Sequence, residues 1–229
     1  MNQKQRTLFS LGANALTFTL SLTGILYYYI SQLVVLMEVD RKVLNLYFTV
    51  NSNIFLAVVS VIGCALYALA HFKKRELPKW FSILRLTAVT AVSLTFFTTV
   101  FFLAPVFGSQ DKDLMISLFT GCNLFMHILS PVVAMIGFCL FETHNEIKFK
   151  HVAIAIIPIV LYQILYMSLV FGTGDTVYDL YGFVHTIWED YIHIPNAIIT
   201  IIGTPIISFG LATLWWYLNR LSSKKAKNE

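Results

Sequence analysis

The chain has 229 residues, of which 57% are hydrophobic and only 12% charged, with a formal net charge of +4. This balance excludes an ordinary soluble domain and points to a polytopic membrane protein. The excess positive charge sits in the connections between apolar runs, where it reads as membrane orientation and not as a nucleic-acid footprint.

Six stretches contain no Asp, Glu, Lys or Arg: Thr7–Met37, Val43–Phe72, Leu86–Gln110, Leu114–Phe141, His151–Gly174 and Tyr191–Asn219. Each exceeds the roughly 20 residues that an α-helix needs to cross a bilayer. Backbone groups in lipid must be paired within their own segment, so the spans are expected as helices. The expected architecture is therefore all-α. It is a single six-helix transmembrane domain over residues 1–229, with spans at about 8–34, 44–70, 82–105, 114–140, 151–171 and 195–218.

The first run is too long for the apolar region of a cleaved signal peptide and is expected to stay as a span, with Tyr27, Tyr28 and Tyr29 at its far interface. The second span opens with Tyr47-Phe48-Thr49-Val50-Asn51-Ser52-Asn53, an apolar run interrupted by polar residues. Thr49 and Asn53 are four apart and share a helix face, with Asn45 one turn earlier. The third span carries Thr95, Thr98 and Thr99. The fourth carries Asn123 and His127 on one face, extended by Thr120 and Ser130, and Pro131 stands four residues after His127. A proline there removes the hydrogen bond to the His127 carbonyl and predicts a kink beside the imidazole. The fifth span carries Tyr162, Gln163 and Tyr166, and the sixth carries Asn196, Thr200, Thr204 and Ser208 at four-residue spacing. The three cysteines, Cys64, Cys122 and Cys139, all fall within spans, form no CxxC pair and read as small buried hydrophobes.

If the N-terminus is inside, 13 of the 16 Lys and Arg residues lie on the inner side, and eight of the twelve acidic residues lie outside. The positive-inside rule then predicts an integral, multi-pass protein with both termini cytoplasmic. His71, His144 and His151 fall near the inner surface, where the expectation is an interfacial role only.

Polar side chains inside hydrocarbon need partners, so the stripes on the second and fourth spans are expected to face the protein interior. A Thr49 hydroxyl with a His127 imidazole on a neighbouring helix makes the minimum set for a base-activated nucleophile. Asn53 and Asn123, one turn away, are candidate donors to the oxyanion of an attacked ester. Counted from the expected span starts, the two main residues differ in depth by roughly 12 Å at 1.5 Å per residue. The alternative is that these groups only hydrogen-bond across helix interfaces, which is the first reading for the Thr and Ser residues of the third and sixth spans.

Two segments resemble a known family. Residues 47–53 are similar to a bacterial F-T-V-Q-S-N segment, and His127-Ile128-Leu129-Ser130-Pro131 to a histidine followed by a proline one turn later. With the six-span plan, they resemble the androgen-induced-gene and androgen-dependent TFPI-regulating protein family and its bacterial relatives. The resemblance implies an intramembrane hydrolase of fatty acid esters of hydroxy fatty acids, with a threonine nucleophile at Thr49 and a histidine base at His127. It implies no cofactor and no metal. The partners are then membrane lipids and a long-chain acyl ester. The aromatic-proline segment before that family's last helix has only a distant counterpart in Tyr191-Ile192-His193-Ile194-Pro195.

Two other classes stay open. One is a lipid-binding or transport protein without catalysis, although no charged residue sits mid-span and no inverted repeat is visible. The other is a metal-dependent membrane hydrolase: on a helix, His185, Glu189 and His193 would share one side, with Asp175, Asp179 and Asp190 nearby. The aromatic residues of the same segment favour instead a surface strap over the outer mouth of the bundle, expected at Thr173–His193.

Overall fold

The computed structural model describes residues 3–35, 44–109, 111–144, 146–173, 178–180, 185–186, 189–192 and 194–228. The protein is an all-α, multi-pass membrane protein whose six long helices each carry an apolar window long enough to cross a bilayer. These are α1 (Gln3–Val35), α2 (Phe48–Lys73), α3 (Lys79–Gly108), α4 (Gly121–Phe141), α5 (Lys150–Thr173) and α6 (Ile194–Asn228). A short antiparallel hairpin of His185–Thr186 and Glu189–Ile192 precedes α6. An even number of crossings returns the chain to the end of the bundle where it started.

Helix α3 is the axis of the bundle. Two thirds (67%) of its apolar window is buried, against 17% for α6, and it packs on α2, α4, α5 and α6. Its sequence explains this position. Ser82, Thr87, Ala88, Thr90, Ala91, Ser93 and Thr95 are all buried, and small side chains let neighbouring backbones approach closely. The core around it joins Leu56 and Val59 of α2, Phe81, Leu86 and Val92 of α3, Phe138 of α4 and Trp215 of α6. The Trp215 indole N–H donates to Ser93 Oγ at 2.8 Å, so the one polar atom of that ring is paired inside the core.

Two helix starts differ from the apolar runs. Helix α2 begins at Phe48, after a 3₁₀ turn at Leu44–Leu46. Helix α4 begins at Gly121, whereas its apolar run starts at Leu114. The intervening Lys112–Ser117 forms a separate short helix capped by Asp111, which accepts from the Asp113 N–H. Composition marks a run as apolar but cannot mark this break. The break is made by Gly121 at φ +56°, a left-handed conformation that a residue without a Cβ adopts at no steric cost. Thr120, expected on the α4 polar face, is therefore exposed and lies outside the helix.

The kink expected at Pro131 takes the form of a register shift. Residues Leu124–Leu129 are π-helical, and the Ser130 N–H donates to the Phe125 carbonyl five residues back. The same device precedes Pro105, where Thr99–Leu103 is π-helical and the Ala104 N–H reaches Thr99. A proline cannot donate to the fourth carbonyl before it, and a wider turn is one way for the helix to absorb that loss.

Candidate active site

Thr49, the second residue of α2, lines a cavity of about 630 Å³, counted with its open mouth, between α2, α3, α5 and α6. Its floor and walls are apolar at Phe48, Leu94, Leu103 and Ile159. Into this space the surrounding helices bring Thr95, Thr98 and Thr99 of α3, Gln163 of α5, and Thr200 and Thr204 of α6. The threonines of the third and sixth spans, read from sequence first as helix-packing residues, thus share one cavity with Thr49. Thr95 is also tied to α2, its hydroxyl lying 3.2 Å from Ser52 Oγ. Ser208, one turn beyond Thr204, is buried and returns its hydroxyl to the Thr204 carbonyl at 2.7 Å. The side chain of Asn196 lies outside the described residues.

Tyrosines form one side of the cavity. The Tyr162 hydroxyl donates to the Leu46 carbonyl at 2.7 Å, and its ring packs on Phe48 with centroids 4.9 Å apart. Tyr166 donates to the carboxylate of Asp179 in the segment before α6. Tyr162, Tyr178 and Leu180 all pack against the cluster of Tyr166, Met167, Val170 and Ala197. Part of the segment expected to cap the bundle thus rests on the cavity-lining Tyr166; most of Thr173–His193 lies outside the described residues.

His127 is buried on α4 and is not among the residues that line the cavity. Its Nδ1 lies 2.9 Å from the Leu118 carbonyl. A carbonyl only accepts, so Nδ1 carries the proton, and in the neutral ring Nε2 holds the lone pair. The glycine break at Gly121 makes this possible by leaving Leu118 outside the helix. Because α2 starts at Phe48 and α4 at Gly121, Thr49 and His127 are the second and seventh residues of their helices.

Asn53 joins the two helices. Its Nδ2 donates to the Thr49 carbonyl at 2.9 Å and to the Met126 carbonyl, next to His127, at 3.1 Å. Its Oδ1 is buried without a hydrogen bond. Asn123 donates to the Ser117 carbonyl at 3.0 Å and braces the turn before α4. Both N–H groups of Asn53 and one of Asn123 are therefore held by backbone. An oxyanion role for Asn53 would require those bonds to open, whereas Asn123 has only one of its two N–H groups held in this way.

Sequence reading missed a second constellation at the opposite end of the bundle. Arg85 and Glu142 are completely buried, with Arg85 Nη2 and Nε each 2.9 Å from Glu142 Oε1. Asn14 of α1 donates to the same oxygen at 3.1 Å. His144 Nε2 lies 2.9 Å from Glu142 Oε2, and Ser82 Oγ lies 2.9 Å from His144 Nδ1. Since a carboxylate only accepts, Nε2 carries the proton and Nδ1 accepts from Ser82 in the neutral ring. This is the hydrogen-bond order of a nucleophile, a base and an orienting carboxylate. However, Ser82 and His144 are 1% and 3% exposed, and neither lines the Thr49 cavity. His144 is packed between the rings of Phe81 and Phe138. The interfacial role expected for His144 is thus replaced by a buried one, tying α1, α3 and the end of α4 together. Asn219 of α6 adds its own bonds to the Phe138 and Glu142 carbonyls. No pattern in sequence marks the cluster, because its members come from four separated segments.

Where the structure describes it, the outer histidine segment is not the helix that the expected cluster requires. His185 and Glu189 lie in opposite strands of the hairpin, so the four-residue helical spacing that would gather them on one side is absent. His193 lies outside the described residues. Among the described residues, no three His, Cys, Asp or Glu side chains are gathered as metal ligands.

Residues 118–226, just under half of the chain and reaching from the turn before α4 into α6, match a family described as a protein of unknown function, DUF1600. Comparison with curated proteins and with solved structures found no match.

Proposed function

We propose that the protein is an intramembrane lipid-ester hydrolase of the kind found in the androgen-induced-gene and androgen-dependent TFPI-regulating protein family. The observation that carries this reading is Thr49 on the wall of an apolar cavity edged with hydroxyls inside a membrane bundle. An acyl chain can fill the apolar part and bring its ester carbonyl to the hydroxyl end. Thr49 Oγ1 then attacks the carbonyl carbon, and His127 Nε2 takes the hydroxyl proton. Collapse of the tetrahedral intermediate breaks the ester C–O bond, and the leaving alcohol recovers the proton from His127. Water, activated by the same imidazole, hydrolyses the acyl-threonine and frees the acid. His127 works through one bridging water or after a small shift of the α2–α4 seam that Asn53 holds. In this reading both termini are cytoplasmic, in line with the distribution of basic residues.

The test is hydrolysis of fatty acid esters of hydroxy fatty acids by the protein in liposomes. Thr49→Ala and His127→Ala are expected to abolish turnover with the helices intact, and Thr49→Ser to retain part of it. Mass spectrometry is expected to find an acyl adduct on Thr49. Full activity in Thr49→Ala would refute the mechanism. A second reading, lipid binding or transport without catalysis, is favoured by the position of His127 outside the cavity wall. It predicts that the esters bind but are not turned over by the unmodified protein.

A further inference from the structure

A second concavity lies on the outside of the bundle, away from Thr49. Trp80, Ile83 and Thr87 of α3 form one wall, Ile154 and Ile157 of α5 the other, and Phe55 of α2 belongs to its lining. Trp80, Ile154 and Ile157 are about half exposed, which in membrane-spanning helices puts them against lipid. Both walls continue one helical turn further into an exposed lysine: Lys79 precedes Ile83 by four residues, and Lys150 precedes Ile154 by four. The adjoining connections add Lys73, Lys74, Arg75 and Lys148, all exposed, against only Glu76 and Glu146. An apolar groove thus ends, at the membrane surface, in a cluster of six basic and two acidic residues.

We propose that this groove holds one acyl chain of an anionic phospholipid of the surrounding bilayer, with the lipid phosphate between Lys79 and Lys150. The apolar walls account for the chain, and the lysines at their common end account for the headgroup. Basic residues beside a membrane favour anionic lipids, by about fivefold in affinity for each lysine near the surface. The indole of Trp80 stands at the headgroup end of the groove, where an amphipathic ring is favoured. The site is separate from the Thr49 cavity and does not depend on the hydrolase reading.

Trp80 provides the measurement. The protein is reconstituted into vesicles containing equal mole fractions of either brominated phosphatidylglycerol or brominated phosphatidylcholine, and tryptophan emission is recorded. Quenching is expected to be stronger with phosphatidylglycerol. That excess should fall several-fold in the double variant Lys79→Gln/Lys150→Gln and disappear in Trp80→Phe. These exposed residues leave the fold intact, which circular dichroism checks. Equal quenching by the two headgroups would mean an ordinary annular lipid and overturn the proposal. An excess that survives Trp80→Phe would place the anionic lipid elsewhere and overturn it as well. An excess unchanged in the double lysine variant would remove the headgroup site.

Discussion

At the scale of single residues, the two histidines buried among the described residues have opposite surroundings. His127 gives one nitrogen to a backbone carbonyl and keeps the other as a lone pair. His144 has both ring nitrogens engaged, one by Glu142 and one by Ser82. A relay buried this deeply acts as a lock, since the Ser82 hydroxyl that would be its nucleophile is closed to substrate. Ser82→Ala is therefore expected to leave ester hydrolysis within about twofold while costing about 1 kcal/mol of stability. Loss of hydrolysis in that variant would move the nucleophile to Ser82. The carboxyl of Glu142 tests the same lock by pH. Burial pushes it up, but the Arg85 guanidinium and His144 outweigh burial and hold it below its ordinary value of 4.5. A group with a depressed native value stabilises the fold fully above its unfolded value, and this contribution is lost as pH falls through the native one. The thermal midpoint in detergent should thus fall as pH drops below about 4.5, and Glu142→Gln should flatten that limb. The same variant leaves Arg85 buried without its counter-charge, at a cost of about 3–5 kcal/mol at neutral pH. An unchanged midpoint at neutral pH would show that the ion pair contributes nothing.

At the scale of elements, close approach and helix irregularity place the polar groups. Helices α1 and α2 meet at Gly63, where an added Cβ would lie 2.8 Å from Asn14 Cγ and 3.1 Å from Phe81. Asn14 is the α1 residue that donates to Glu142, so Gly63→Ala should push it off the carboxylate. Overpacking of this kind costs about 1–3 kcal/mol, read as a lower unfolding midpoint in detergent; a midpoint equal to that of the unaltered protein would show that Asn14 can yield freely. The π-helical stretches play a comparable part. Residues Thr99–Leu103 contribute two lining residues to the Thr49 cavity, and Leu124–Leu129 carries His127. Such irregularities recur at functional sites because they turn a side chain away from the regular helix face.

At the scale of the whole molecule, the proposed orientation is tested by labelling from one side. Single cysteines introduced at Lys112 and Lys225 into a chain lacking Cys64, Cys122 and Cys139 are expected to react from opposite sides of the membrane, Lys112 from outside. Labelling of both from the same side would contradict the six-span topology. A bundle with its hydroxyl-lined cavity toward one end and its buried ion-pair lock at the other also separates the two kinds of damage. Substitutions around Thr49 should alter activity more than stability, and those around Glu142 the reverse.

The number of crossings was legible in the sequence because lipid imposes it locally: any uncharged run of this length must pair its own backbone as a helix. The polar faces of α2 and α6 were legible for the same reason, since a hydroxyl in hydrocarbon stands out against its neighbours. Where those faces point is a property of packing. Only the tertiary structure brought the α3 threonines to Thr49, turned His127 toward Leu118 and used Asn53 as a tie between helices. The break at Gly121 was illegible because an apolar run looks the same whether one helix or two pass through it. The Arg85–Glu142–His144 lock was illegible because its charges lie at the ends of apolar runs, where sequence reads them as membrane-surface residues. Their burial depends on four segments converging, and no single stretch of chain carries that information.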